Sequence, residues 1–303
     1  MTQPLLILDG GMGRELHRRG APFVQPQWSA LALMQAPAIV QEVHADFIKA
    51  GADIITSNSY AVVPFHIGAD TFATEGKALA TLAGRLARTA ADAADRPIKV
   101  AASLPPLFGS YRPDLFDAAR APDIAMPLIH AQAPYADIWL AETQSSIIEV
   151  QTLHALTARD RPFWASFTLE DEKPTTEPCL RSGESIAAAV KAVCDLNIDA
   201  LLFNCSHPEV MTQALRIART LLDTEQSNMR LGVYANAFAA HCEDEAALPA
   251  NDGLDKIRHD LTPTSYLQWA QQWRTAGADI IGGCCGVGPE YISALAIWRD
   301  QTR

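Results

Sequence analysis

Eight short apolar runs, separated by longer helical patterns, narrow most sharply what this chain can fold into. The runs are "LLILDGG" (5–11), "DIITSNSY" (53–60), "IKVAASLPP" (98–106), "DIWLAETQ" (137–144), "PFWASFTLE" (162–170), "ALLFNCS" (200–206), "LGVYANA" (231–237) and "DIIGGCC" (279–285). Most are near-continuous in Ile, Leu, Val, Ala and Phe, as expected of parallel strands covered on both faces. Helical patterns lie between most of them. Residues 74–94 carry Leu79, Leu82 and Leu86 at helical spacing, and 208–224 place Val210, Ala214, Ile217 and Leu221 on one stripe. The third unit is the least regular, reading as a long loop before a short helix near 123–134. Eight strand-then-helix units in 303 residues predict an α/β protein, a (β/α)8 TIM barrel forming a single domain over 1–303. A doubly wound sheet is the alternative. The stretch AGADII occurs at 50–55 and again at 276–281, and in each copy the glycine is read as ending a helix before a buried strand. No linker or low-complexity tract divides the chain.

Charge and composition remove several function classes. The net charge of -11, from 24 basic and 35 acidic residues, argues against nucleic acid and anionic membrane surfaces as partners. The longest apolar runs fall short of the ~20 residues a membrane span requires. The start "MTQPLLILDG" lacks a basic leader and runs straight into a strand, so a cytoplasmic location is expected.

The six cysteines, at 179, 194, 205, 242, 284 and 285, do not form a disulfide framework in a chain this long. In a barrel, chemistry gathers where strands end at the carboxyl face. Cys205 ends the sixth run, and Cys284 and Cys285 end the eighth, so three thiols fall on one rim. A bridge between 284 and 285 is disfavoured, because neighbouring Cα atoms lie ~3.8 Å apart and normal bridges begin near ~4.4 Å. Buried small hydrophobes are the other plain reading. On a regular strand neighbouring side chains point to opposite faces, but glycines at 282, 283 and 286 would let the backbone turn both thiols inward. Three thiolates with one open position describe a catalytic zinc rather than a closed structural one. "SHPE" (206–209) matches a capping box and Pro289-Glu290 a second helix start, so both thiol sites precede helix N-termini, which favour thiolate.

Other residues keep two readings each. "DGGMGRE" (9–15) is a glycine-rich turn that could hold a carboxylate on free N–H groups, or an ordinary tight turn; it fits neither nucleotide-binding glycine pattern. Glu142 is a rim carboxylate or a salt-bridge partner, and Ser57 a site residue or a loop serine. His207 could be a ligand but reads more simply as a surface histidine. Trp28, Tyr60, Trp139 and Trp164 could offer aromatic faces to a cation or simply pack.

The segments "LDGGMGREL", "GADIITSNSY", "AETQSSIIE", "LRSGES", "FNCSHPE" and "GADIIGGCCG" together resemble the homocysteine S-methyltransferase family across nearly the whole chain. The resemblance implies a zinc ion on Cys205, Cys284 and Cys285, completed by the substrate thiolate, with no catalytic residue beyond the zinc site. It implies homocysteine contacts from Asp9, Gly10, Ser57 and Glu142, the last binding the substrate ammonium. The implied reaction moves a methyl group from a small sulfonium donor, S-methylmethionine or S-adenosylmethionine, to homocysteine, giving methionine. A betaine-type donor and another thiol or selenol acceptor are the alternatives on the same barrel. Two departures, at "LPPLFGSYRPDLF" and "YANAFAAHCEDE" (234–245), border the expected donor pocket. The rival classes are a zinc hydrolase or lyase, which would call for His or Asp ligands, and a non-enzymatic zinc or thiol-binding protein. A monomer is expected ahead of a homodimer.

Overall fold

A computed structural model describes residues 3–172, 177–238 and 257–302. The eight runs become eight parallel strands: β1 (Leu6–Ile7), β2 (Ile54–Thr56), β3 (Lys99–Leu104), β4 (Ile138–Gln144), β5 (Phe163–Phe167), β6 (Ala200–Asn204), β7 (Arg230–Tyr234) and β8 (Ile280–Ile281). They pair in the order β1-β8-β7-β6-β5-β4-β3-β2. A bridge between Leu8 and Ile54 closes the remaining seam, with Asp9 N–H donating to the Ile54 carbonyl at 3.0 Å. The result is a (β/α)8 TIM barrel, as expected from the spacing.

Two separate apolar clusters follow from this closure. Inside the barrel, Leu8, Ile54, Leu140, Trp164, Leu202 and Ile280 pack together, and Cys284 rests on them. Outside, the sheet's other face meets the helices in a larger cluster that includes Phe47, Trp139 and Trp273. Trp139 and Trp164 are therefore core residues. Burying each large side chain of this kind contributes about 1.5–3 kcal/mol.

An aspartate before a strand has a structural role at three places in the barrel. Asp53, Asp137 and Asp199 each precede a strand and accept the first free N–H of a neighbouring one. The bonds are Ile7 N–H to Asp53 at 2.9 Å, Val100 N–H to Asp137 at 2.8 Å and Phe163 N–H to Asp199 at 2.8 Å. These carboxylates lock the amino-terminal face of the barrel, the face associated with stability rather than chemistry. Gly51, at φ 109°, ends the helix Pro37–Ala50, and Gly277, at φ 106°, follows Pro263–Thr275. Both glycines occupy the left-handed region.

Some local expectations change. The helix expected from 74 begins earlier, spanning Ala69–Asp92, and the third unit forms a short turn at Pro113–Leu115 before the helix Ala121–Gln132. The capping box at 206–209 does not form. The N-cap of Pro208–Thr224 is His207, with no side-chain cap. Ser206 instead accepts the Leu169 N–H at 2.9 Å, tying β6 to the end of β5. A tertiary bond has displaced the local one. Cys242 and residues 239–245 of the second departure lie outside the described residues.

Candidate metal centre and active site

Three sulfur atoms meet at the carboxyl mouth of the barrel. Cys205 follows β6 directly, with a left-handed φ of 50° and its N–H on the Tyr234 carbonyl at 3.1 Å. After β8 the chain leaves the ladder. Cys284 N–H donates to Ala235 O at 2.9 Å, and Ala237 N–H donates to Cys285 O at 2.8 Å. The Sγ of Cys284 and that of Cys285 then lie 2.9 and 4.0 Å from the Sγ of Cys205. These are the only three His, Cys, Asp or Glu residues among the described ones whose donor atoms gather this closely, all within 4.8 Å. Tetrahedral zinc with bonds of ~2.3 Å would separate its sulfur ligands by about 3.8 Å, so the cluster fits that ion once one pair spreads.

The glycines around the pair act differently from the sequence expectation. Only Gly286, at φ 83°, uses left-handed freedom. Gly282 and Gly283 are needed for space: a Cβ on Gly282 would lie 2.6 Å from the Leu8 Cβ, and one on Gly283 2.1 Å from Val287 Cγ1. Gly10 and Gly11 face the same seam from the other side, where added Cβ atoms would lie 2.3 Å from Val287 O and 2.5 Å from Cys284 O. The two glycine-rich turns therefore interlock, and Gly11 N–H is already given to Val287 O at 2.9 Å.

Electrostatics call for a cation here. A hydrogen bond with Cys284 favours the Cys205 thiolate, but the bond to Cys285 and burial outweigh it, so the thiol is pushed far up. Bonds to Cys205 and Cys285, together with burial, raise Cys284 as well. Cys205 and Cys284 thus resist ionising alone, and a bound metal reverses that balance. The Tyr111 hydroxyl, 3.0 Å from the Cys205 Sγ, adds a donor to the same sulfur. Its ring is stacked beneath the Arg181 guanidinium at 4.9 Å.

Backbone strain marks the same place independently. Six non-glycine residues have positive φ among the described ones, and four of them, Trp28, Tyr111, Thr143 and Cys205, line one cavity. Asn197 and Gln226, the other two, lie just past helix ends, where such a conformation is common. Strain of this kind costs on the order of 1–3 kcal/mol and persists where the surroundings impose it. At Thr143 the cause is visible. The β4–β5 register shifts between Ala141 and Gln144, and Asn204 clamps the bulge. Asn204 Oδ1 accepts from Thr143 N–H at 3.2 Å and from Ser166 Oγ at 2.7 Å, while its Nδ2 donates to Thr143 Oγ1 at 2.9 Å. The bulge lies directly beside Glu142 and re-aims the strand there. Replacing Asn204 with Ala should cost about 2–4 kcal/mol, since several buried groups lose partners at once. Denaturant unfolding measures this, and a loss below ~0.5 kcal/mol, the size of an ordinary surface change, would contradict the clamp.

Glu142 lines the cavity and accepts from Ser103 Oγ at 2.7 Å. Burial is the main reason its carboxyl is pushed up to about 7, partly offset by the Ser103 bond. The Tyr234 hydroxyl approaches Glu142 and Ser166 and makes no well-aligned bond to either.

Asp9, Gly10 and Ser57 also line the cavity. The Asp9 carboxylate accepts Thr56 N–H at 2.7 Å and Thr56 Oγ1 at 3.1 Å, and burial pushes it up to about 8. Ser57 Oγ donates to Gln132 Oε1 at 2.6 Å and accepts Ser103 N–H at 3.0 Å, so its hydroxyl is committed to the wall. His207 Nδ1 lies 3.7 Å from Asp171, apart from the sulfur cluster. Sequence reasoning passed over Phe23, His66, Tyr111, Tyr234 and Phe238, all in the cavity wall. Tyr111 stood within a quoted loop, and only its left-handed backbone, invisible in sequence, turns it inward.

Comparisons with known proteins find relatives over nearly the whole chain. Residues 6–298 match the family described as homocysteine S-methyltransferase. The chain is 32% identical to homocysteine S-methyltransferase of Escherichia coli (strain K12), covering 97% of this chain and 94% of that protein. It is 27% identical to selenocysteine Se-methyltransferase of Brassica oleracea var. italica, covering 95% and 87%. The crystal structure of the homocysteine methyltransferase MmuM from Escherichia coli, in its metallated form, aligns with a TM-score of 0.78 at 28% identity, covering 98% and 96%.

Proposed function

The chain belongs to the homocysteine S-methyltransferase family, and from that membership we propose that it moves a methyl group from a small sulfonium donor to the sulfur of L-homocysteine, giving methionine, with zinc held by Cys205, Cys284 and Cys285. The observation that carries this reading is the convergence of those three sulfurs in one cavity with Glu142. Zinc bound there supplies the positive charge that keeps the acceptor sulfur deprotonated at neutral pH, where a free thiol is only a few per cent thiolate.

The chain's own groups do the positioning. Glu142, fixed by Ser103, receives the homocysteine ammonium, and that cation returns the carboxyl to its ionised form. Asp9 and Gly10 line the same cavity as the sulfurs and contribute to the homocysteine contacts. Phe23, Trp28, Tyr60 and Phe238 provide an aromatic wall for a cationic donor. The acceptor sulfur forms a new S–CH3 bond as the donor's S–CH3 bond breaks, its electron pair staying on the departing thioether. Anion and cation become two neutral thioethers. A cleft that excludes water favours such a charge-cancelling step, because the separated charges lose more hydration than the transition state does.

Zinc-loaded protein incubated with homocysteine and a panel of S-methylmethionine, S-adenosylmethionine and glycine betaine should yield methionine, with the sulfonium donors turned over fastest. Absence of methionine with every donor would overturn the reading. Preference for betaine would overturn the donor assignment alone.

A further inference from the structure

His66 is buried, 4% exposed, and lines the cavity from the helix Pro64–Ile67 that follows β2. Its Nδ1 lies 2.9 Å from the Pro26 carbonyl. A carbonyl only accepts, so Nδ1 carries a proton. Burial lowers the pKa to about 4, opposed by the Pro26 bond, so the ring is neutral at pH 7. A neutral imidazole has one N–H, and here it is already assigned. Nε2 is therefore a bare lone pair, an acceptor, and it has no partner among the described residues. Leaving a buried acceptor unpaired is a cost that calls for an explanation.

His44 offers the contrast. Both its ring nitrogens are buried and unpartnered, yet it lies outside the cavity wall. Trp28 offers the complement. It lies two residues beyond Pro26 in the same wall, and its Nε1–H, a donor, is also buried and unpartnered. Two wall residues thus carry an unused acceptor and an unused donor, both covered by neighbouring atoms, so a ligand reaches them only when the wall shifts. That pair suits the ammonium and carboxylate of an amino-acid head group.

We propose that His66 Nε2 accepts a hydrogen bond from the α-ammonium of the methyl donor, so that the cavity selects a sulfonium amino acid over quaternary-ammonium or amine-free donors. This inference rests on the methyl-transfer reading of the site. Quaternary ammonium groups have no N–H to give and would leave Nε2 unpaired, and sites built around such a bond reject analogues that lack it.

The test compares S-methylmethionine with 3-dimethylsulfoniopropionate, which keeps a sulfonium and a carboxylate but has no amine, using the zinc-loaded full chain. His66→Phe should reduce the ratio of their kcat/KM values by about ten- to a hundredfold, the span of a hydrogen bond to a charged group. A wall that merely loosened would slow both donors alike, and an unchanged ratio overturns the proposal. A second measurement needs neither variant nor turnover. In protein labelled with 15N-histidine, the Nε2 resonance of His66 should move on saturation with S-methylmethionine and stay in place with the amine-free sulfonium. Identical responses overturn the assignment. Wild-type protein that transfers methyl from no donor overturns the underlying reading instead, and the resonance arm distinguishes that case from failure at His66.

Discussion

Cys285→Ser protein should fold like the parent, bind no zinc at stoichiometric concentration and form no methionine. Removing one of three thiolates takes away a ligand, and changes even to the groups behind the ligands cost roughly 10–100-fold in affinity or activity. The loss here should exceed that range in both. The fold should survive because Cys285 is only partly buried and lies beyond the end of β8, outside both apolar clusters. Circular dichroism, metal content and methionine formation are read together on one preparation. Full activity in this variant would remove Cys285 from the metal centre.

Glu142→Gln is expected to raise the homocysteine KM by about ten- to a hundredfold with a smaller change in kcat, matching ~1.5–3 kcal/mol for a hydrogen bond to a charged group. The substitution keeps the shape and a bond with Ser103 while removing the charge that pairs with the ammonium. The pH profile adds a second readout. Because burial holds the free carboxyl at about 7, it is protonated below that value and homocysteine binding weakens there. The parent's affinity should therefore improve as pH rises through 7, and the glutamine variant should lose that portion of the dependence. Such a raised pKa also opposes folding. The native state retains a proton that the unfolded chain has released between the ordinary value of 4.5 and about 7, so stability falls as pH rises across this window. An unchanged KM in the variant would move the ammonium site elsewhere.

The barrel was readable because its strands are buried on both faces, which leaves uninterrupted apolar runs in the sequence. The helix at 208–224 was read with its observed limits for a related reason: its apolar stripe and Pro208 mark its face and its start. That three thiols share one rim followed from strand ends, since a closed barrel carries the ends of β6 and β8 to one face; their grouping as a metal set came from the family resemblance. What stayed hidden depends on contacts distant in sequence. Ser206 looked like a cap and became a tie to Leu169. Gly282 and Gly283 looked like hinges, yet they make room for Leu8 and Val287. Asn204 had no reading of its own in the sequence, yet its amide clamps a bulge 61 residues away in the chain. His66 gave no signal at all, because its meaning depends on Pro26, 40 residues earlier.

X-ray absorption at the zinc edge, on zinc-loaded protein with and without homocysteine, examines the metal centre most directly. Three sulfur neighbours at ~2.3 Å, joined by a fourth when homocysteine is added, is the expected result. Fewer than three sulfurs in the free protein, or a coordination shell that homocysteine leaves unchanged, would contradict it.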